Sequence, residues 1–395
     1  MDATRMTGAP PRSDENARGL GVNGHLIGVP GGRWRLNTPS LIVDLDGLEA
    51  NIARMARLCR ESGIALRPHA KTHKSIEIAK RQMAAGAVGI CCAKLGEAEV
   101  LSAGGIESIL ITSPIVTGDG RRRLAELNRV CPDLLVVADC TAHAEALGEV
   151  GRASCRPLKL LVDLDVGQRR TGIEPGEGAA ALARRIAADP HLSLAGIQGY
   201  AGHLMHVGDR SERKAATLAA MNALRGVRAL LERQGLACPI VTGGGTGTFD
   251  LDPQAGVLTD LQAGSYLFMD AEYGDVWEKA GEPAPFATTL FVQTTVISAN
   301  HPGFATTDAG LKAFATDAGP PRIVAGAPEG TRYLFRGDEQ GGLALDLGEA
   351  VAIGATITCA VPHCDPTVNL YDHYHVVRGD TLLDIWPVDA RGRSQ

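Results

Sequence analysis

Aromatic side chains make up only 4% of the chain. No stretch approaches the roughly 18 consecutive apolar residues that a membrane-spanning helix needs. The first scarcity leaves the core to Leu, Ile, Val and Ala, and the second leaves no candidate span. An excess of positive charge is missing too. The 39 Lys and Arg are outnumbered by 45 Asp and Glu, a net charge of -6, so neither nucleic acid nor an anionic membrane is an expected partner. Nine cysteines are present without disulfide-like spacing: Cys91 and Cys92 are adjacent, and Cys59, Cys131, Cys140, Cys155 and Cys238 are scattered. Such thiols fit a reduced, cytoplasmic protein. Residues 1–37 lack the apolar centre of a signal peptide; they are polar, contain Gly and Pro, and read as a flexible extension.

What the chain does have is glycine and a repeated strand–helix pattern. There are 48 glycines in 395 residues, about 12% against a usual ~7%, and they gather in loops such as Thr242-Gly243-Gly244-Gly245-Thr246-Gly247. From Ser40 onward, short apolar runs (Leu41–Leu45, Ile64–Arg67, Val88–Ala93, Ser108–Ile111 and five more up to Gln262–Met269) alternate with amphipathic stretches. Runs apolar on both faces argue parallel strands covered by helices. The count and the length of roughly 240 residues fit an α/β fold built on an eight-fold β/α barrel of TIM type. A doubly wound open sheet is the alternative, but no Gly-x-Gly-x-x-Gly follows the first strand. After Pro283 the pattern turns to short β-like runs. The expected organisation is an extension over 1–37, a barrel over 38–282 and a mostly β domain over 283–395.

Two clusters carry chemistry. Arg67-Pro68-His69-Ala70-Lys71-Thr72-His73-Lys74 follows the run Ile64-Ala65-Leu66, so Lys71 falls where a barrel strand ends and enzymes of that fold place reactive groups. A lysine among cationic neighbours can have a lowered pKa and act as a Schiff-base nucleophile. The second cluster is His363-Cys364-Asp365. In extended chain, residues i and i+2 share a side, so His363 and Asp365 could hold one divalent ion of manganese, magnesium or zinc type while Cys364 turns away.

These motifs resemble the fold-type III pyridoxal-phosphate enzymes, and among them the family of D-threonine aldolase and D-serine dehydratase, nearer the aldolases. The resemblance rests on Thr38-Pro39-Ser40-Leu41, the Lys71 stretch, Gly89-Ile90-Cys91-Cys92-Ala93-Lys94 and Val162-Asp163-Leu164-Asp165-Val166-Gly167-Gln168-Arg169-Arg170-Thr171-Gly172. It continues through Gly243–Gly247, Gln262–Asp270, Asp308-Ala309-Gly310-Leu311-Lys312 and the His363 stretch. It implies an alanine-racemase-like barrel binding pyridoxal 5'-phosphate, with a β domain that carries a metal. Lys71 would form the Schiff base, and Arg170 would reach the cofactor's phenolic oxygen with Tyr200 beside it. Gly244, Gly245, Thr246 and Gly247 would cradle the phosphate, completed by Gly264, Ser265 and Tyr266. Gln262 would face the pyridine nitrogen, and His363 and Asp365 would be the metal ligands.

The activity so implied is cleavage of a D-3-hydroxy amino acid to glycine and an aldehyde, with His203 or His206 as the base. Dehydration to a keto acid and ammonia is the alternative. The dehydratase branch pairs its metal histidine with a cysteine two residues on, where this chain has the harder ligand Asp365. A non-catalytic pyridoxal-phosphate carrier would need only the barrel and Lys71. Three departures from the aldolase pattern fall on expected pocket positions: Ser113-Pro114 in place of Asn-Glu, Gln340 in the Asp338-Glu339-Gln340-Gly341 turn in place of His, and Ala201 with His203 two residues later. Ser113 and Asp338 are the expected substrate contacts, and a head-to-tail homodimer is the expected assembly.

Overall fold

A computed structural model of the chain describes residues 19–395. Its first strand, β1 (Ser40–Asp44), leads into a helix over Leu45–Glu61. The Asp44 side chain caps that helix by accepting the Gly47 N–H at 2.8 Å. Leu48, Ile52 and Met55 fall on its buried face, as the spacing predicts, with Cys59 completing it where Leu58 was expected and is only half-buried. Eight short parallel strands follow: β2 (Ala65–Leu66), β3 (Ile90–Cys92), β4 (Ser108–Ile111), β5 (Asp133–Ala138), β6 (Leu158–Asp163), β7 (Leu192–Gly199), β8 (Ile240–Gly243) and β9 (Asp260–Leu261). Their order is β2-β9-β8-β7-β6-β5-β4-β3. The two ends meet through a parallel bridge between His69 and Cys91 and through the Cys91 N–H, which donates to Pro68 O at 2.8 Å. The sheet therefore curls into a barrel.

Alternation along these strands divides the core. Cys91, Leu110, Leu135, Val137, Leu161 and Ala195 fill the barrel interior as one cluster. Their neighbours Cys92, Ile109, Ile111, Leu134 and Val136 belong to the larger cluster shared with the helices. Both faces are buried, which is why the strands read as continuous apolar runs.

The second sheet has nine strands. After β10 (Leu290–His301) come β11 (Phe304–Thr307), β12 (Arg322–Ala325), β13 (Arg332–Phe335), β14 (Gly341–Ala344), β15 (Thr356–Ala360), β16 (His373–Arg378) and β17 (Thr381–Pro387). One member comes from the other end of the chain. Of the nine strand candidates up to Met269, seven coincide with barrel strands; the last, Gln262–Met269, begins just past β9 and holds the 3₁₀ turn Ser265–Leu267, and the first, β1, pairs antiparallel with β10 and parallel with β16. Residues 1–18 of the expected extension lie outside the described residues. The rest of it is docked on this sheet: Leu26 and Leu36 pack with Ile42, Val377, Leu382 and Ile385, and the Gly28 N–H donates to Leu382 O at 2.8 Å. All nine cysteines are free thiols, seven of them buried. Among the described residues no helix is long and apolar enough to cross a membrane.

Candidate active site

A cavity of about 560 Å³ opens at the C-terminal ends of the barrel strands. Its wall is built strand by strand: Lys71 after β2, Ser113 after β4, Arg170 after β6, Tyr200 after β7, Gly245 after β8 and Ser265 after β9. This is where a β/α barrel carries its chemistry, because the loops at that end vary without disturbing the packed interior.

Lys71 sits in a 3₁₀ turn, Ala70–Thr72, entered through His69, whose Nδ1 accepts the Lys71 N–H at 3.3 Å. The ammonium of Lys71 donates to Asp365 Oδ2 at 2.7 Å. Asp365 therefore holds the lysine pKa above its ordinary value, against the opposing effect of burial. The sequence reading expected the reverse, a lysine depressed by cationic neighbours. Asp365, 294 residues further along, reverses the direction because only the folded chain places it there. Burial works against ionisation of Asp365, yet the Lys71 cation and its hydrogen bond leave that carboxyl below its usual range.

The geometry expected at His363 also differs. The chain is extended only at His363 (φ -141°, ψ 122°), which then caps a short helix over Cys364–Val368. Pro366 in the first turn suits a helix start and not a continuing strand. Cys364 is fully buried, and its N–H donates to Asp270 Oδ2 at 2.9 Å. Asp270 also takes the Tyr273 N–H at 2.9 Å, so one buried carboxylate ties this loop to the end of the barrel. His363 and Asp365 thus share a helix N-terminus. His363 Nδ1 meets Asp317 Oδ2 at 2.7 Å, an arrangement that leaves Nε2 open. Among the described residues no group of three or more His, Cys, Asp or Glu side chains gathers at metal-ligand spacing.

The glycine loop comes close to its surroundings. A Cβ at Gly245 would stand 2.6 Å from Met205 Sδ, and one at Gly264 would stand 2.7 Å from Thr72 Oγ1 and 2.9 Å from His69 O. Gly244 (φ 70°) and Gly247 are bare for the same reason, facing Asp252 and the Met205 backbone. Thr246 lines the cavity, and its hydroxyl accepts the Tyr266 N–H at 3.0 Å. Tyr266 is therefore part of the loop's support, not of the wall: it is fully buried, with its phenol oxygen accepting from Gln82.

Arg170 lies over the Tyr200 ring, 5.3 Å from its centroid. Gln262 Nε2 donates to Gln198 Oε1 at 3.1 Å and Thr242 Oγ1 at 3.0 Å, and Gln198 Nε2 donates to Asp163 at 2.9 Å. The two candidate bases part company. His206 stacks 4.7 Å from Tyr273 and 3.6 Å from Glu272, and burial lowers its pKa, with Lys71, His363 and Asp365 all close enough to act on it. His203, exposed as His206 also is, lies over Gly167. Ser113 lines the cavity; Asp338 sits on an exposed turn of the second sheet and does not.

Several wall residues escaped the motif reading, His69 with Thr112 (3.2 Å), Gln198 and Tyr273, and so did Asp317, the partner of His363 outside the wall. For Asp317 no sequence signal existed. His69 sits inside the Lys71 motif and was within reach.

The profile of the alanine racemase N-terminal domain matches residues 43–272, and that of a putative serine dehydratase domain matches residues 289–377. The chain belongs to this family of alanine-racemase-like enzymes. Within the family it is similar to a D-threonine aldolase of Arthrobacter sp, 40% identical over 91% of this chain and 94% of that one. A 3-hydroxy-D-aspartate aldolase of Paracoccus denitrificans (strain Pd 1222) is 35% identical over 91% and 93%. Among solved structures, a D-threonine aldolase from Filomicrobium marinum superposes with a TM-score of 0.86 at 38% identity, covering 92% of this chain and 97% of that one.

Proposed function

We propose that this chain is a pyridoxal 5'-phosphate-dependent aldolase that cleaves D-3-hydroxy amino acids of the D-threonine type to glycine and an aldehyde. In this reading a divalent cation, manganese or magnesium before zinc, sits at His363 and Asp365. The observation that carries it is the meeting of Lys71 and Asp365 at 2.7 Å, on the rim of a cavity whose far wall is bare glycine backbone. The cofactor fits that wall. A phosphate needs backbone N–H donors at a distance a Cβ would deny, and Gly264 is a position where a Cβ has no room.

The cation fits as well. Asp317 holds His363 Nδ1, which presents Nε2 as the ligand nitrogen in the way carboxylate–histidine pairs do at metal centres. One imidazole and one carboxylate suit a hard ion with open positions.

Bound pyridoxal phosphate would supply the electron sink for the pair released when the Cα–Cβ bond breaks. A cation at His363 and Asp365 would supply Lewis acidity toward the β-hydroxyl. The rest is done by side chains. Lys71 would hold the cofactor, and Arg170 over Tyr200 would bind beside its ring. His206, its pKa lowered by partial desolvation against the pull of Glu272, takes the hydroxyl proton. In a head-to-tail homodimer, Asp338 would reach the cavity of a neighbouring copy.

Incubation of the purified chain with D-threonine or D-3-hydroxyaspartate, pyridoxal phosphate and manganese tests the reading. Glycine plus an aldehyde, lost on chelation, is the expected result. A keto acid with ammonia would make the chain a dehydratase, and activity surviving both chelation and His363→Ala would remove the cation from the reaction.

A further inference from the structure

One buried acid beside the cavity has no part in the chemistry above. Asp252 is 1% exposed and lies behind the glycine loop. Its Oδ2 accepts the Thr248 hydroxyl at 2.6 Å and the Gly245 N–H at 3.3 Å. The Asp252 N–H returns to Thr248 O at 2.9 Å, which closes a small ring of bonds around the loop. Gly244 adopts φ 70°, and a Cβ there would run into the Asp252 carboxyl. The loop's path is therefore shaped around this one side chain.

No ion pair among the described residues includes Asp252, although charges stand near it. Asp250, two residues back, bonds Arg210 at 2.6 Å, and Arg210 also meets Glu282 at 3.1 Å. From the long helix Arg210–Arg233, Arg225 spends its guanidinium on Ala255 O and Asn222. On the barrel side the facing titratable group is Tyr200. An unpaired carboxylate in such a place is costly. Burial pushes the Asp252 carboxyl up to about 7; the two hydrogen bonds pull against it, and Asp250 adds to it. A phosphate dianion on the cavity side of Gly245 adds like charge one hydrogen bond away and disfavours the ionised form further.

We propose that Asp252 is a positioning residue for the cofactor's phosphate, that it acts as a neutral acid, and that a phosphate ester entering the cradle draws one proton onto it. This rests on the cofactor reading above. Phosphate-ester affinity should then fall as pH rises past the carboxyl's own midpoint, because the proton must be recovered before the ester can sit.

The test uses pyridoxine 5'-phosphate, which has the phosphate and the ring but no aldehyde, so Lys71 cannot form a covalent bond with it. Cofactor-free chain and Asp252→Asn are titrated calorimetrically from about pH 6 to pH 9, in buffers of different ionisation enthalpy that report protons taken up. The ester's own second ionisation is common to both proteins and cancels. Expected is an uptake approaching one proton more in the unaltered chain above neutrality. Its affinity should fall relative to Asp252→Asn by up to about tenfold per pH unit. Parallel affinity curves with equal proton counts overturn the proposal. Thr248→Val, which removes one stabilising donor from the carboxylate, should move the break in the unaltered curve to higher pH; an unmoved break also overturns it and serves if the Asn variant does not fold. Failure of the unaltered chain to bind the ester at any pH overturns the cofactor reading itself, and this one with it.

Discussion

His203 and His206 are three positions apart; His206 lies within the electrostatic reach of Lys71, His363 and Asp365, and His203 stands over Gly167. Replacing His206 with Ala should lower kcat by about 10²–10⁴, the usual worth of a positioned general base. His203→Ala should change it by only a few-fold; a comparison of kcat for the two variants decides between them, and the opposite ranking would move the base to His203. Asp317 makes a second residue-scale prediction. It touches His363 Nδ1 and nothing expected of the substrate, so Asp317→Ala should weaken manganese affinity by about 10–100-fold, the typical effect of removing an outer partner of a ligating histidine. A manganese titration of the purified variant measures this directly. Lys71 itself was legible because its motif is contiguous. Its charge was not, since the carboxylate that sets it arrives from residue 365.

At the scale of elements, the loops after β8 and β9 and the turn after β2 interlock through atoms too close for any side chain. Gly264→Ala would bring a methyl group against His69 O and Thr72 Oγ1. The backbone oxygen cannot swing aside, so a stability loss of about 1–3 kcal/mol is expected, together with weaker cofactor retention. A lowered Tm and a reduced cofactor content after dialysis would show both. Gly245→Ala meets the flexible end of Met205 and should cost less. The glycines were readable as a loop from sequence, but which of them carries backbone contact was not. The His363 segment teaches the complementary lesson. An alternation argument put His363 and Asp365 on one side of a strand; the chain instead starts a helix there, with Pro366 in its first turn and Asp270 holding the Cys364 N–H.

For the molecule as a whole, buried imidazoles are expected to contribute acid sensitivity. His73 is fully buried, Nδ1 takes the Ser75 N–H at 3.0 Å, and burial pushes its pKa down to about 3. His375 is pushed down to about 4 by the same cause. An unfolded histidine titrates near 6.5. Above that pH both states are neutral and the fold keeps its full stability. As pH falls from about 6.5 toward 3, the unfolded chain gains protons that the folded one refuses, and stability drops by about 1.4 kcal/mol per pH unit for each such group. Thermal melts between about pH 7 and pH 5 should show Tm falling steadily, with a shallower slope in His73→Asn, which keeps an acceptor for Ser75 but has no proton to gain. Equal slopes would exclude His73 as a source of the acid sensitivity.

The barrel was legible in the sequence because its information is local: apolar runs at strand length, helices with one buried face, turns rich in glycine. The same holds for the placing of Lys71 at a strand end and for the glycine loop, whose residues are neighbours in the chain. What only the tertiary structure decided is everything that depends on pairing across distance. β1 reads like the first barrel strand and is not, because its partners β10 and β16 lie more than two hundred residues away. Asp365 sets the charge of Lys71, Asp317 orients His363, and Asp252 shapes the glycine loop, each by a contact that no local pattern encodes. A sequence states which groups are available, but burial and separation, which set their protonation and their partners, exist only once the chain has folded.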